Sequence, residues 1–357
     1  MIPEHWLRAA LEPPIAWGTG PLAHGVLRSS PEDFVVEEIL GFAASGEGPH
    51  VLLQVRKRGA NTEWVARELS RAVGCKPFEV GFAGLKDRHA VTTQHFTLPR
   101  GKRAAAEFIG LAGEGFEVLA AAAHQRKLPR GALEGNRFVI TVRDFSCDPA
   151  QLRERIGCLA AGGAPNYFGA QRFGREAGNL QQVLSTAQKL AEGERRAASR
   201  GRAEQGFMLS AARSLIFNAI LAERIGQGSW NRLLSGDVAN LDGRGSVFAV
   251  ASVDAELGQR CAALDIHPTA PLPGDDAALA TGDVFALEES IAAQFPQALA
   301  VIHAEHMKSE RRALRIRVRE LEYEYASGVL QMRFSLQAGS FATTVLREII
   351  AGGETEE

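Results

Sequence analysis

Residues Phe78–Phe96 read FEVGFAGLKDRHAVTTQHF. Phe78, Val80 and Phe82 alternate with other residues, and a period of two predicts a strand with one buried face. The continuation VTTQHFTL is β-branched and aromatic and predicts a second strand. Asp87 then falls in the short connection between them, beside Lys86, Arg88 and His89. An Asp in such a place is ordinarily a turn residue, because its side chain bonds nearby backbone. It has a second reading: three basic or titratable neighbours depress its pKa and keep it ionised at pH 7. An ionised carboxylate can act as a nucleophile at a sugar carbon or as a base. Composition alone leaves both readings open.

Working outward, DFVVEEIL (Asp33–Leu40), HVLLQVRKRG (His50–Gly59) and NRFVITVRDF (Asn136–Phe145) have strand composition. NTEWVARELSRAVG predicts a helix, with Asn61 or Thr62 as cap, Glu63 in the first turn and Gly74 as its end. Asp148-Pro149 opens another, which runs through Leu152, Ile156 and Leu159 to Gly162-Gly163. From there to about Glu305 the chain is richer in helix. SAARSLIFNAILAERI and LEESIAAQFPQALAVIHAEH carry helical spacing, and LDGRGSVFAV between them reads as β. Strands return at the C-terminus. Leu314, Ile316 and Val318 alternate with arginines, and Met332, Phe334 and Leu336 alternate after an Ala-Ser-Gly turn. The order is β-rich, helix-rich, β-rich. It predicts an α+β fold in which one domain interrupts another and the two outer segments share a sheet.

At 357 residues, 45% hydrophobic and 23% charged, the chain is long and apolar enough for two cores, and global disorder is excluded. No apolar run approaches the roughly 18 residues that span a bilayer, and MIPEHWLRAALEPP has no signal-like stretch. Cys75, Cys147, Cys158 and Cys261 form no Cys-x-x-Cys pair. They read as buried thiols of a soluble protein in a reducing cytoplasm. Net charge is -2, but Lys86–Arg143 holds ten Lys or Arg against five acids, leaving that segment at +5 and the remainder at -7. RRAASRGR (Arg195–Arg202) and KSERRALRIRVR (Lys308–Arg319) are further basic runs. Such runs are either solvated surface or a groove for a polyanion.

No phosphate-cradling glycine motif, H-E-x-x-H or zinc-deaminase signature occurs. HAEH puts His303 and His306 one helical turn apart with no second ligand cluster, and reads as a surface helix. KLPRGALEGNRF (Lys127–Phe138) joins basic residues suited to phosphates with a Phe that offers a stacking face, or is simply a hairpin surface over a core Phe. PNYFGAQRFG (Pro165–Gly174) gathers Tyr167, Phe168 and Phe173 among Asn166, Gln171 and Arg172. That is a toolkit for an unstacked base, or a packed elbow between domains.

Six segments in order, SPEDFVVEE, GFAGLKDRHAVTTQHF, KLPRGALEGNRF, PNYFGAQRFG, DIHPTAPLPG and AGSFATTVLREI, resemble those of the TruD-type tRNA pseudouridine synthases nearly end to end. The resemblance implies isomerisation of one tRNA uridine, the position called 13, to pseudouridine. It implies a catalytic domain in two parts, 1–160 and 308–357, around a family-specific insertion at 161–307. Asp87 takes the place of the family's catalytic aspartate. Asn136 and Phe138 take the places of its active-site Asn and Phe, and Arg28, just before P-E-D-F, is expected to pair with Asp87. Lys86, Arg88 and His89 are candidates for keeping Asp87 ionised or touching RNA. Lys127, Arg130, Phe168, Gln171 and Arg172 are candidate tRNA contacts. The reaction consumes nothing, so no cofactor and no metal is expected. The expected partner is tRNA, with no membrane. The rival readings are a non-catalytic RNA-binding protein of the same fold, action on another RNA uridine, and an N-glycosidase using Asp87 in hydrolysis.

Overall fold

The computed structural model describes residues 1–193 and 202–351. The chain forms two compact units, one spanning Leu22–Glu154 and Val318–Ser340 with Ile350 and Ala351, the other built from Met1–Pro21, Arg155–Arg317 and Phe341–Ile349.

The first unit is organised by a ten-stranded sheet. Its main path runs Arg319–Ala326, Val329–Gln337, Gly135–Arg143, Phe34–Ile39, Val91–Pro99, His50–Arg58, Phe116–His124, Ala112–Gly113. Phe34–Ile39 and Val91–Pro99 are parallel, and the other pairings are antiparallel. The class is therefore α+β with a mixed sheet. Val329–Gln337 pairs along Gly135–Arg143, from Leu330 opposite Val142 to Gln337 opposite Gly135, so the C-terminal strands do complete the N-terminal sheet. Their hairpin turns on Ser327 and Gly328, at φ 50° and 75°, the left-handed pair that matches strand twist. Helix Thr62–Val73 lays Val65, Ala66 and Leu69 against Val51, Leu53, Val55, Phe96 and Leu98. Gly74, at φ 76°, ends it as expected. Neither Asn61 nor Thr62 caps it with a side chain; the Thr62 hydroxyl is engaged elsewhere.

The strand expected from Phe78 is a correction. Pro77–Glu79 is a 3-10 turn, the strand shrinks to Gly81–Phe82, and Phe78 is 70% exposed. Pro77 has no N–H to give a ladder and suits the first position of a helical turn, and Glu79 closes that turn by accepting from the Lys76 N–H at 2.7 Å.

Gly135 opens the G-N-x-F segment where two strands approach closely. A Cβ there would lie 2.3 Å from the Leu336 carbonyl oxygen. Backbone cannot yield as a side-chain tip does, so Gly135→Ala is expected to destabilise this unit by about 1–3 kcal/mol. Chemical denaturation followed by far-UV circular dichroism measures the shift.

The second unit packs around helix Arg202–Gly226, whose Leu215, Ile216, Phe217, Ile220 and Leu221 are buried with Trp6, Phe173, Leu180, Phe295 and Ile302. Its Glu204–Gly226 stretch is long and apolar enough to cross a membrane, yet 67% of its most apolar 18 residues are buried inside the protein. The helical run near its end is broken in two, Gly282–Ala292 and Pro296–Ala304, because Pro296 cannot continue a helix from the preceding turn. A four-stranded antiparallel sheet, ordered Val247–Ala249, Val238–Leu241, Ile266–Leu272, Glu310–Ala313, completes the unit. The sequence reading grouped 1–21 and 341–349 with the outer strands. In the structure helix Glu4–Leu11 buries Trp6 in the helical core, and Glu348 accepts from the Ala16 and Trp17 N–H groups. An apolar stripe shows that a helix packs, not against what.

Three arginines of the basic run Lys308–Arg319 turn inward in this unit, while Lys308 and Arg317 are exposed. Arg311 forms a bidentate pair with Glu288, Arg312 lies 4.1 Å above the Phe168 ring, and Arg315 is buried on His267 and backbone carbonyls. Arg195–Gly201 of the other basic run lies outside the described residues. His303 and His306 both bond Asp275, at 2.9 and 2.8 Å. Among the described residues no group of His, Cys, Asp or Glu is arranged to hold a metal ion.

Candidate active site

The strand face that carries Val51, Leu53 and Val55 also carries Lys57, and the face that carries Phe34 and Val36 carries Glu38. Lys57 and Glu38 are 1% and 3% exposed. Thr92 lies opposite both Lys57 and Val36, and Phe138 lies opposite both Val36 and Phe334, which makes one row across the sheet. Asn136, two residues before Phe138, lies opposite Glu38 and Leu336. Polar groups in the core side of a sheet require partners, and these find them in the connection that carries Asp87.

That connection, Ala83–Ala90, has little regular structure, yet its backbone is held at almost every residue. The Gly131 N–H donates to Ala83 O at 2.7 Å, and Gln94 Nε2 donates to Gly84 O at 2.5 Å. The Lys86 N–H donates to Thr62 Oγ1 at 3.0 Å, and Thr62 in turn donates to Gln94. Lys57 Nζ donates to Ala60 O at 2.8 Å, Asp87 O at 2.8 Å and Lys86 O at 3.3 Å. One buried ammonium thus satisfies three carbonyls, two of them in the Asp87 segment. Burial pushes the Lys57 pKa down to about 8, against the pull of the Asp87 charge and with the help of the neighbouring Lys86 charge.

Lys86 turns inward rather than toward solvent. Its Nζ lies 2.7 Å from Asn136 Oδ1 and 3.5 Å from Glu38 Oε1, with 9% of its side chain exposed. Burial lowers its pKa, and Glu38 acts to raise it. Glu38 also accepts from the His95 N–H at 2.8 Å. Lys86 is therefore no surface contact for RNA here. Asn136 fixes the Asp87 segment through it.

Asp87 itself faces outward, its side chain 46% exposed. Arg28 Nη2 donates to Asp87 Oδ2 at 3.2 Å. Arg28 sits at φ 58°, in a left-handed region that costs a non-glycine residue free energy and persists only where the surroundings hold it. Two contacts do so. The guanidinium lies 4.5 Å from the Phe34 ring centroid, and the following S-P-E-D turn is closed by Asp33 accepting from the Ser30 N–H. Asp33 is in turn clamped by Arg143 at 2.7–3.2 Å. The SPEDF segment is the device that aims Arg28.

Phe138 stands edge-on to Phe34 at 6.3 Å and stacked on Phe334 at 5.4 Å, and is 6% exposed. Little of the ring is left for a base to stack upon, because the row across the sheet closes over it. Arg88 and His89 are exposed beside Asp87, and Arg88 Nε reaches Gly59 O at 3.4 Å. Lys127 donates to Phe78 O, and Arg130 lies 3.6 Å above the Phe82 ring. Both stand on the loop that the Gly131–Ala83 bond ties to the Asp87 segment. Of the other cations in the +5 segment, Arg137 pairs with Glu37 and Glu320, and Arg143 with Asp33.

Phe168, Gln171 and Arg172 belong to the other unit. Phe168 is 6% exposed, packed on Phe217 and covered by Arg312 and Arg172, so its ring is core and not a platform for a base. Tyr167 and Phe173 are buried with it. Gln171 is exposed, and Arg172 donates to Ser210 Oγ at 2.9 Å. Sequence reasoning missed Lys57, Gln94, Thr62 and Phe34.

The site therefore presents an outward carboxylate, paired with one arginine and carried on a segment pinned by buried side chains. Comparison with known proteins gives the class. The family model for tRNA pseudouridine synthase D (TruD) matches residues 18–200 and 202–349. Proteins named tRNA pseudouridine synthase D from Nitrosococcus oceani and Methylococcus capsulatus are 43% and 42% identical to the chain. These alignments cover 93% and 92% of this chain and 92% and 94% of those proteins. A crystal structure of a TruD protein from Methanosarcina mazei has the same fold, with a TM-score of 0.76 over 99% of both chains at 24% identity. The chain belongs to the tRNA pseudouridine synthase D (TruD) family.

Proposed function

We propose that the chain isomerises a uridine of tRNA, at the position called 13, to pseudouridine, with Asp87 as the reacting group. The observation that carries this is the exposed Asp87 carboxylate, held by Arg28 on a segment whose carbonyls are fixed by Lys57, in a chain of this family. The C1′–N1 bond breaks, the uracil turns, and C5 bonds to C1′; C5 loses its proton and N1 gains one, so the atoms balance without a co-reactant. Asp87 either attacks C1′, as a glycosidase carboxylate does, or takes the C2′ proton to give a glycal. Arg28 orients the carboxylate by donating to Oδ2. A stacked uridine is out of reach of Asp87 and is flipped out first. Lys127 and Arg130, on the adjoining loop, serve the phosphates, so tRNA binding weakens as salt rises. The strand-rich unit is the catalytic one, and Arg172 and Gln171 of the helical unit are offered as further tRNA contacts.

The test is to incubate the protein with total RNA from cells lacking pseudouridine in tRNA and map new pseudouridines chemically. One new site, in tRNA, supports the proposal. No new site sinks the enzymatic reading, and a site in another RNA overturns the substrate.

A further inference from the structure

We propose that Leu85 is the wedge that fills the stack when the target uridine leaves it, an inference that rests on the uridine-isomerising reading of Asp87. Extracting a base costs unstacking free energy, and proteins that disrupt stacks commonly insert an apolar side chain into the gap. Leu85 is 66% exposed. Among the described residues of this unit the other large exposed apolar side chains are Phe42, Phe78, Ile109 and Leu119, and none is on the Asp87 segment. From Gly84 to Asp87 exposure alternates, with Lys86 turned in and Leu85 and Asp87 turned out. Two residues of chain span at most about 7 Å, so the leucine stands beside the carboxylate. Its backbone is not free to bury it: Gly84 O is bonded to Gln94, Lys86 N to Thr62, and Lys86 O to Lys57. A rigid mount under an exposed apolar tip is what a wedge requires, since a floppy one would collapse on the protein instead of entering the stack.

The experiment compares wild type, Leu85→Ala and Leu85→Met on two tRNA transcripts. One is unmodified, and the other carries an abasic residue next to the target uridine, which is thereby already unstacked. Single-turnover rate and tRNA affinity are measured, with 2-aminopurine beside the target as a fluorescent reporter of unstacking. On the unmodified transcript Leu85→Ala is expected to lose about 10- to 100-fold in rate, with affinity within about threefold and a smaller fluorescence rise. Leu85→Met is expected to remain near wild type, and Leu85→Ala to recover to within about threefold of wild type on the abasic transcript. An equal loss on both transcripts, or no loss on the unmodified one, overturns the wedge while wild-type activity leaves the reading of Asp87 intact. Wild type inactive on both overturns that reading and the wedge with it.

Discussion

Asp87→Asn is expected to form no measurable pseudouridine, a loss of at least about 10⁴-fold in single-turnover rate, as for a reacting group whose removal cannot be bypassed. The fold should be untouched. Asp87 is nearly half exposed and its ion pair with Arg28 lies at the surface, where such pairs contribute about 0–1 kcal/mol. The amide is close in shape and its Oδ1 still accepts from Arg28. Binding of tRNA, measured by filter retention, should stay within about threefold of wild type, because the phosphate contacts that dominate affinity are elsewhere. Retention of near wild-type turnover by this variant would remove Asp87 from the chemistry.

Lys57→Met is expected to have the second-largest effect. Methionine keeps much of the stem but leaves the Ala60, Lys86 and Asp87 carbonyls without their donor. Unsatisfied buried acceptors cost about 1–3 kcal/mol each, so a loss of roughly 3–5 kcal/mol in stability is expected by chemical denaturation. The rate should fall by about 100-fold through kcat, with KM little changed, since misplacing a reacting group by about 1 Å costs that much. The pH dependence separates this from general damage. Lys57 has its pKa lowered from 10.5 to about 8 in the folded chain, so between those values the unfolded chain binds more protons and stability rises with pH. The penalty of keeping Lys57 charged is thus present below about pH 8 and relieved above it. Activity runs the other way. Above about pH 8 the neutral amine has two N–H groups for three carbonyls, the segment loosens and the rate declines. The wild-type pH–rate profile should carry that descending limb, and the Lys57→Met profile should lack it.

Much of this was legible in the sequence, for physical reasons that also mark where it stopped. The strands at Phe34, His50, Val91 and Gly135 and the helix at Thr62 announced themselves by period and by end signals such as Gly74. The Arg28–Asp87 pair was anticipated only through family resemblance, since 59 residues separate the two. Lys57 had a local signal that went unread. It continues the Val51, Leu53, Val55 alternation, and a lysine at a core-facing position of a strand needs acceptors nearby. Glu38 extends Phe34 and Val36 in the same way. Phe168 shows the opposite failure. Aromatics set among Asn, Gln and Arg suggested a base platform, but the Arg312 guanidinium that covers the ring lies far along the chain. Composition cannot distinguish a stacking surface from one already stacked.

The most direct test of the central claim uses tRNA transcribed with tritium on C5 of uridine, incubated with the wild-type protein, with both the water and the nucleosides then counted. Isomerisation joins C5 to C1′ and must release that tritium. The expected result is tritium in water equal to the pseudouridine formed, no free uracil, and neither signal with Asp87→Asn. Free uracil that keeps its tritium would make the chain a glycosidase, and no release at all would contradict isomerisation of uridine by Asp87.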